Sequence, residues 1–145
     1  MYFHRSHAFH KLFYHIVWTT KNRELLITSP LEERLYAYLR KKIYELEGNL
    51  IALNGIEDHL HLLVQLAPKN SPSKFVKDIK GSSSHFLTHE VGPDSCFKWQ
   101  QGYAIFSVGE REVPKIRAYI EKQKEHHQSK TTEAKWEYKA LNESE

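Results

Sequence analysis

The chain has a single cysteine, Cys96, so no disulfide can close within it, and a reducing cytoplasm is the expected setting. Five prolines and six glycines leave little material for long flexible linkers. No apolar run approaches the ~20 residues needed to cross a bilayer, so no membrane partner is expected. The leading stretch from Met1 to His10 is polar and His-rich and lacks the apolar centre of a secretory signal. Charge of one sign is also scarce. Lys and Arg number 21 against 18 Asp and Glu, giving +3 and a sequence pI near 8.9, a balance that by itself selects no partner. No repeat with a period of about 20–50 residues is present.

What the chain does have is 40% hydrophobic residues in 145 positions, enough for one core. We expect one domain over 1–145, with a core at about 11–128 and a polar tail at about 129–145, where Trp136, Tyr138 and Leu141 could dock. Ten histidines make metal binding worth a search. His4, His7 and His10 recur every three residues, but in a polar lead that favours disorder over a built site.

Lys11 to Thr20 reads as a strand whose two alternating sets are both largely apolar, which requires cover on both faces. Ser29-Pro30 followed by acids predicts a helix start, with Leu31, Leu35, Leu39, Ile43 and Leu46 at helical spacing and Gly48 ending it. Asn49 to Ile56 and His59 to Leu66 read as a hairpin turning at Glu57-Asp58. Ser71-Pro72 opens a second helix, weakened in its middle by Gly81 and Ser82-Ser83-Ser84. Phe97 to Val108 reads as a fourth strand, and Pro114 begins a third helix with Val113, Ile116 and Ile120 on one stripe. This order predicts an α+β, ferredoxin-like split βαββαβ antiparallel sheet. The additional C-terminal helix is the available cover for the second face.

In a strand His59 and His61 point to the same face, while Leu60, Leu62 and Val64 point to the other. Two imidazoles on a rigid strand can share an ion, although with so many histidines chance alone supplies roughly 0.7 His-x-His pairs. On the third helix Tyr119, Gln123 and His126 form a stripe beside Ile116 and Ile120. A helix laid over the histidine face could carry Gln123 to a metal and the Tyr119 hydroxyl to a substrate. The plainer alternative is a packed aromatic and a solvated amide. His126 could line the same site or sit exposed at a helix end. Lys74, Lys77 and Lys80 lie at i, i+3, i+6, and Lys21 and Arg23 follow the first strand. All five are candidate phosphate contacts, although such residues are commonly solvated charges. Trp99 and Tyr103 could stack on bases but are better suited to core packing.

These residues also carry a resemblance. His59-Leu60-His61, Phe97-x-Trp99-Gln100-x-Gly102-Tyr103-x-x-Phe106-Ser107-Val108 and Tyr119-Ile120-x-x-Gln123-x-x-His126-His127 resemble the single-tyrosine HUH transposases of small insertion sequences, the IS200-like type. Val17-Trp18-Thr19-Thr20-Lys21-Asn22-Arg23 and Lys80-Gly81-Ser82-Ser83-Ser84 are similar too, so the likeness runs from about Lys11 to His127. It implies a divalent metal, Mg²⁺ or Mn²⁺, on His59, His61 and Gln123, with Tyr119 as nucleophile. It further implies single-stranded DNA as substrate, hairpins at element ends, and a homodimer that exchanges its catalytic helices. A His-rich three-ligand site also suits Zn²⁺. The tyrosine would replace water because a covalent 5′-phosphotyrosine conserves the broken bond for rejoining. Competing expectations are a non-catalytic nucleic-acid-binding domain, a metal-dependent hydrolase in which water attacks, and a resident REP-associated relative with the same chemistry.

Overall fold

The computed structural model describes residues 8–92 and 96–129. Four strands, β1 (Phe13–Thr19), β2 (Asn49–Ile56), β3 (His59–Gln65) and β4 (Ala104–Val108), form one sheet in the order β2-β3-β1-β4. Every adjacent pair is antiparallel. Helix α1 (Ser29–Glu45) connects β1 to β2 and α2 (Pro72–Phe86) connects β3 to β4. This is the expected split βαββαβ arrangement. Most of the polar tail, with Trp136, Tyr138 and Leu141, lies outside the described residues, as do His4 and His7.

The two apolar sets of β1 end on opposite sides. Ile16 and Trp18 join Leu60, Leu62 and Val64 of β3 in the main core, which α1 closes with Leu35, Leu39 and Ile43 and α2 with Phe75, Val76 and Ile79. Phe13 and Leu63 face the other way and meet Val108, Ile116 and Ile120. Helix α3 (Val113–Glu121) therefore supplies the second cover that a strand apolar on both faces requires. A bulge between Leu50 and Ala52 lets both Ile51 and Ala52 pack under this helix.

Several boundaries differ from the sequence expectation for local reasons. Helix α1 has Thr28 rather than Ser29 at its N-cap and uses no side-chain capping bond. At its other end Glu47, not Gly48, takes the left-handed conformation (φ 64). The Glu47 N–H then donates to the Tyr44 carbonyl and the Gly48 N–H to that of Ile43, closing a Schellman motif. Gly48 instead sits in a tight space, since a Cβ there would stand 3.0 Å from Ile43 Cγ2 and 3.2 Å from a Phe75 ring carbon. Helix α2 runs unbroken through Gly81 and the serines, capped by Ser71, whose hydroxyl accepts from the Lys74 N–H, and a π-helical turn over Leu87–Val91 follows.

The fourth strand is shorter than expected. Trp99 forms a single bridge to Thr20, and regular pairing resumes only at Ala104, after Gly102 at φ 92. The third helix is not continuous either. It breaks at Lys122 (φ −105, ψ 22), and a further short helix, α4 (Gln123–Ser129), carries the remaining stripe.

Candidate metal and nucleophile site

On β3 the period of two sends His59 and His61 to the face covered by α3 and α4, and both are buried. The hairpin turn that places His59 is tight. Gly55 pairs across from Leu60, and a Cβ on it would collide with the His59 carbonyl. Asp58, in the turn, reaches His59 Nδ1 through Oδ1 at 2.8 Å. Burial raises the Asp58 pKa, but the His59 hydrogen bond and the charges of His59, Arg23 and His127 outweigh it and hold the carboxyl below its usual range. Ionised Asp58 can only accept, so His59 donates from Nδ1.

Helices α3 and α4 bring the rest. Tyr119 is buried, with its ring 6.0 Å from that of His61. Gln123, fully buried at the first position of α4, sets Oε1 at 3.4 Å from His59 Nε2. His126 stacks on Tyr119 with centroids 4.6 Å apart, and His127 packs against His59 at 4.8 Å. The break at Lys122 is held down by its neighbours. Asn54 Nδ2 donates to the Glu121 carbonyl at 3.1 Å, while Lys124 Nζ donates to Asn54 Oδ1 at 2.8 Å and pairs with Glu32 at 2.9 Å. The structure thus gathers His59, His61, Tyr119, Gln123 and His126 on one side of the sheet, within one chain.

The site also contains residues that the sequence did not single out. His15, fully buried in the middle of β1, sits with Nε2 2.9 Å from His61 Nδ1. Val17 is the direct partner of His61 in the β1–β3 register, which makes His15 its diagonal neighbour on the same face. The signal was visible only as a polar residue in an otherwise apolar alternating set. Asp58 appeared in the sequence reading solely as a turn residue, and His127 solely as part of a motif.

The donor set fits a divalent ion. Among the described residues no group of three or more His, Cys, Asp or Glu side chains could hold a metal, so a further ligand drawn from these residues would be of another type. Gln123 is placed where such a ligand would sit. Its Oε1 lies at a distance from His59 Nε2 that is long for an N–H···O bond, and its buried Nε2 has no hydrogen-bond partner among the described residues. An amide buried in this way is costly unless something else holds it. With Nδ1 of His59 on Asp58 and Nδ1 of His61 on His15, Nε2 is the nitrogen each imidazole would offer.

The candidate phosphate contacts separate. Lys21 and Lys80 line one groove with Lys98, Trp99 and Gln100 at the end of β1. Lys80 Nζ donates there to the carbonyls of Gln100 at 2.7 Å and Gly102 at 2.6 Å. Arg23 lies 3.6 Å from Asp58, Lys74 pairs with Asp78, and Lys77 is exposed on α2. Trp99 packs edge-on against Trp18 and Phe97 and donates to Ser83 Oγ, and Tyr103 is also packed against the core. No helix among the described residues is long and apolar enough to cross a membrane.

With this geometry in hand, known proteins can be compared. The chain is 28% identical over 119 residues to the ISDra2 transposase TnpA of Deinococcus radiodurans, covering 79% of this chain and 85% of that protein. It is 32% identical over 118 residues to the transposase for insertion sequence element IS200 of Salmonella typhimurium, covering 77% and 76% respectively. A crystal structure of a putative transposase from Deinococcus radiodurans superposes with a TM-score of 0.66 at 28% identity, over 83% of this chain and 96% of that one. A REP-associated tyrosine transposase bound to a REP hairpin shares the fold, with a TM-score of 0.65 at 15% identity over 88% and 74%. The pattern of the family described as Transposase IS200 like matches residues 8–123, from before β1 to Gln123 itself, and the chain belongs to that family.

Proposed function

We propose that this transposase cleaves and rejoins single-stranded DNA through a covalent 5′-phosphotyrosine on Tyr119. The observation that carries the reading is the convergence of Tyr119 and Gln123 on the His59–His61 face, in a chain of the IS200-like transposase family. His59, His61 and Gln123 would hold a divalent ion, Mg²⁺ or Mn²⁺, through two imidazole nitrogens and one amide oxygen. When bound, such an ion neutralises the phosphate and stabilises the charge that develops on the departing oxygen. Tyr119 Oη attacks phosphorus, the bond from phosphorus to the 3′ oxygen breaks, and the phenol loses a proton as the 3′ oxygen gains one. Attack by a 3′-hydroxyl on the phosphotyrosine reverses the bond changes and rejoins a strand. His126, stacked on the phenol ring, limits its rotation and so orients Oη.

The DNA partner is a single strand with a hairpin, held by cations of the groove of Lys21, Lys80 and Lys98, while Arg23, beside Asp58, and Lys74 and Lys77, on α2, lie outside that groove's lining and would add separate contacts. In the homodimer we propose, α3 and α4, which here cover their own sheet, would be exchanged and cover the partner's instead.

Labelled single-stranded DNA carrying a hairpin, incubated with Mn²⁺, tests the chemistry. Wild type should yield a covalent adduct on a denaturing gel, and Tyr119→Phe should bind DNA yet form none. An adduct of undiminished yield from Tyr119→Phe would remove Tyr119 as nucleophile, and cleavage without any adduct would point to hydrolysis. Mixing Tyr119→Phe with His61→Ala chains tests the exchange. Recovery of cleavage is expected, because one composite site in a mixed dimer is intact, whereas no recovery would confine catalysis to a single chain.

A further inference from the structure

We infer that His15 is a positioning residue that sets the tautomer of His61 and so determines which of its nitrogens meets the metal. The inference rests on the metal site proposed above. It starts from the 2.9 Å contact between His15 Nε2 and His61 Nδ1, made by two fully buried rings that meet edge to edge with centroids 5.1 Å apart and planes 26° from parallel. Only one of the two nitrogens carries the proton of that bond. If His15 donates, neutral His61 bears its proton on Nε2 and has no lone pair there for an ion. If His61 donates from Nδ1, its Nε2 is an unprotonated ligand. Metal binding through Nε2 therefore requires His15 to accept.

The two ligand histidines are thus oriented by different groups. Asp58, a carboxylate, accepts from His59 Nδ1 at 2.8 Å. His15 does the same for His61 without adding negative charge. A second buried carboxylate would repel a DNA phosphate approaching the ion, and a neutral imidazole avoids that repulsion. The His15 ring is itself fixed by β1, central in the sheet, and by Phe106 at 5.7 Å. Partners of this kind are generally worth roughly 10–100-fold in metal affinity.

The test pairs ring-nitrogen NMR with metal titration. In wild type loaded with Zn²⁺, His61 should be protonated at Nδ1 and His15 unprotonated at Nε2, and the reverse assignment overturns the inference without any mutation. His15→Phe keeps a flat ring but offers no acceptor. It should move His61 toward the Nε2–H tautomer in the metal-free protein and weaken Mn²⁺ binding by roughly 10–100-fold. His15→Gln, whose amide oxygen can accept, should restore most of the affinity. Equal losses in the two variants would reduce His15 to packing, and a folded His15→Phe protein with unchanged tautomer and affinity would dismiss it altogether. His61→Ala separates the two proposals. If Mn²⁺ affinity survives that change the metal site itself is wrong, whereas if it is lost there but kept in His15→Phe only the role of His15 fails.

Discussion

Lys80 shows how a single side chain can be committed to structure while carrying a charge. Its ammonium spans the carbonyls of Gln100 and Gly102, in the segment where the fourth strand is interrupted. Burial lowers its pKa from the ordinary lysine value to about 8. A lysine depressed in the folded state binds fewer protons there than in the unfolded chain, so its contribution to stability rises with pH. The window runs from about 8, the folded value, to the ordinary value of 10.5. Urea unfolding of wild type and Lys80→Met at a series of pH values should show the gap moving in favour of wild type across that window. A gap constant with pH would mean that Lys80 titrates as it does in the unfolded chain.

At the scale of elements, the junction of α3 and α4 lies beside the site. A continuous helix would place Gln123 one turn beyond Tyr119. Across the break at Lys122 the stripe is kept, with Gln123 beside His59 and His126 stacked on Tyr119. Asn54 bonds both sides of this break, to the Glu121 carbonyl and to Lys124. Asn54→Ala removes two hydrogen bonds, with an expected cost of about 1 kcal/mol because the site is open to water. Amide hydrogen exchange should quicken across Gln123–Ser129 while α1 and α2 stay protected. Unchanged exchange in α4 would show that the helix is held by its other contacts.

For the whole molecule, a formal charge of only +3 supplies little long-range attraction for DNA, so affinity would have to come from how the cations are placed. Lys21, Lys80 and Lys98 share one groove, and the proposed binding would rest on such placed cations. Each phosphate neutralised on a single strand contributes about −0.7 to the slope of log K against log salt. Filter binding from low to high salt should accordingly give a loss of affinity with a slope of about −2 if those three contacts act together. A hairpin oligonucleotide should bind more tightly than an unstructured strand of equal length. Equal affinity for the two would argue against hairpin recognition.

Much of this was written locally. The two-faced pattern of Phe13 to Thr19 demanded cover on both sides, and the hairpin Asn49 to Gln65 followed from alternation and a short turn. A period of two placed His59 and His61 together, and the motifs around Tyr119 and Gln123 are enough by themselves to indicate the family. Local propensity also misled where a neighbour decided the outcome. Gly81 and three serines did not break α2, because Phe75, Val76 and Ile79 anchor it in the core, and Pro114 opened a helix that ended sooner than its stripe suggested. Only the tertiary structure revealed that His15 touches His61, because that contact joins residues 46 positions apart and depends on the β1–β3 register. The same holds for Asn54 and Lys124 at the helix break, 70 positions apart. Sequence patterns set which face a side chain takes within its own element. Which elements that face meets, and at what register, is settled by packing of the whole chain, and the local sequence carries no record of it.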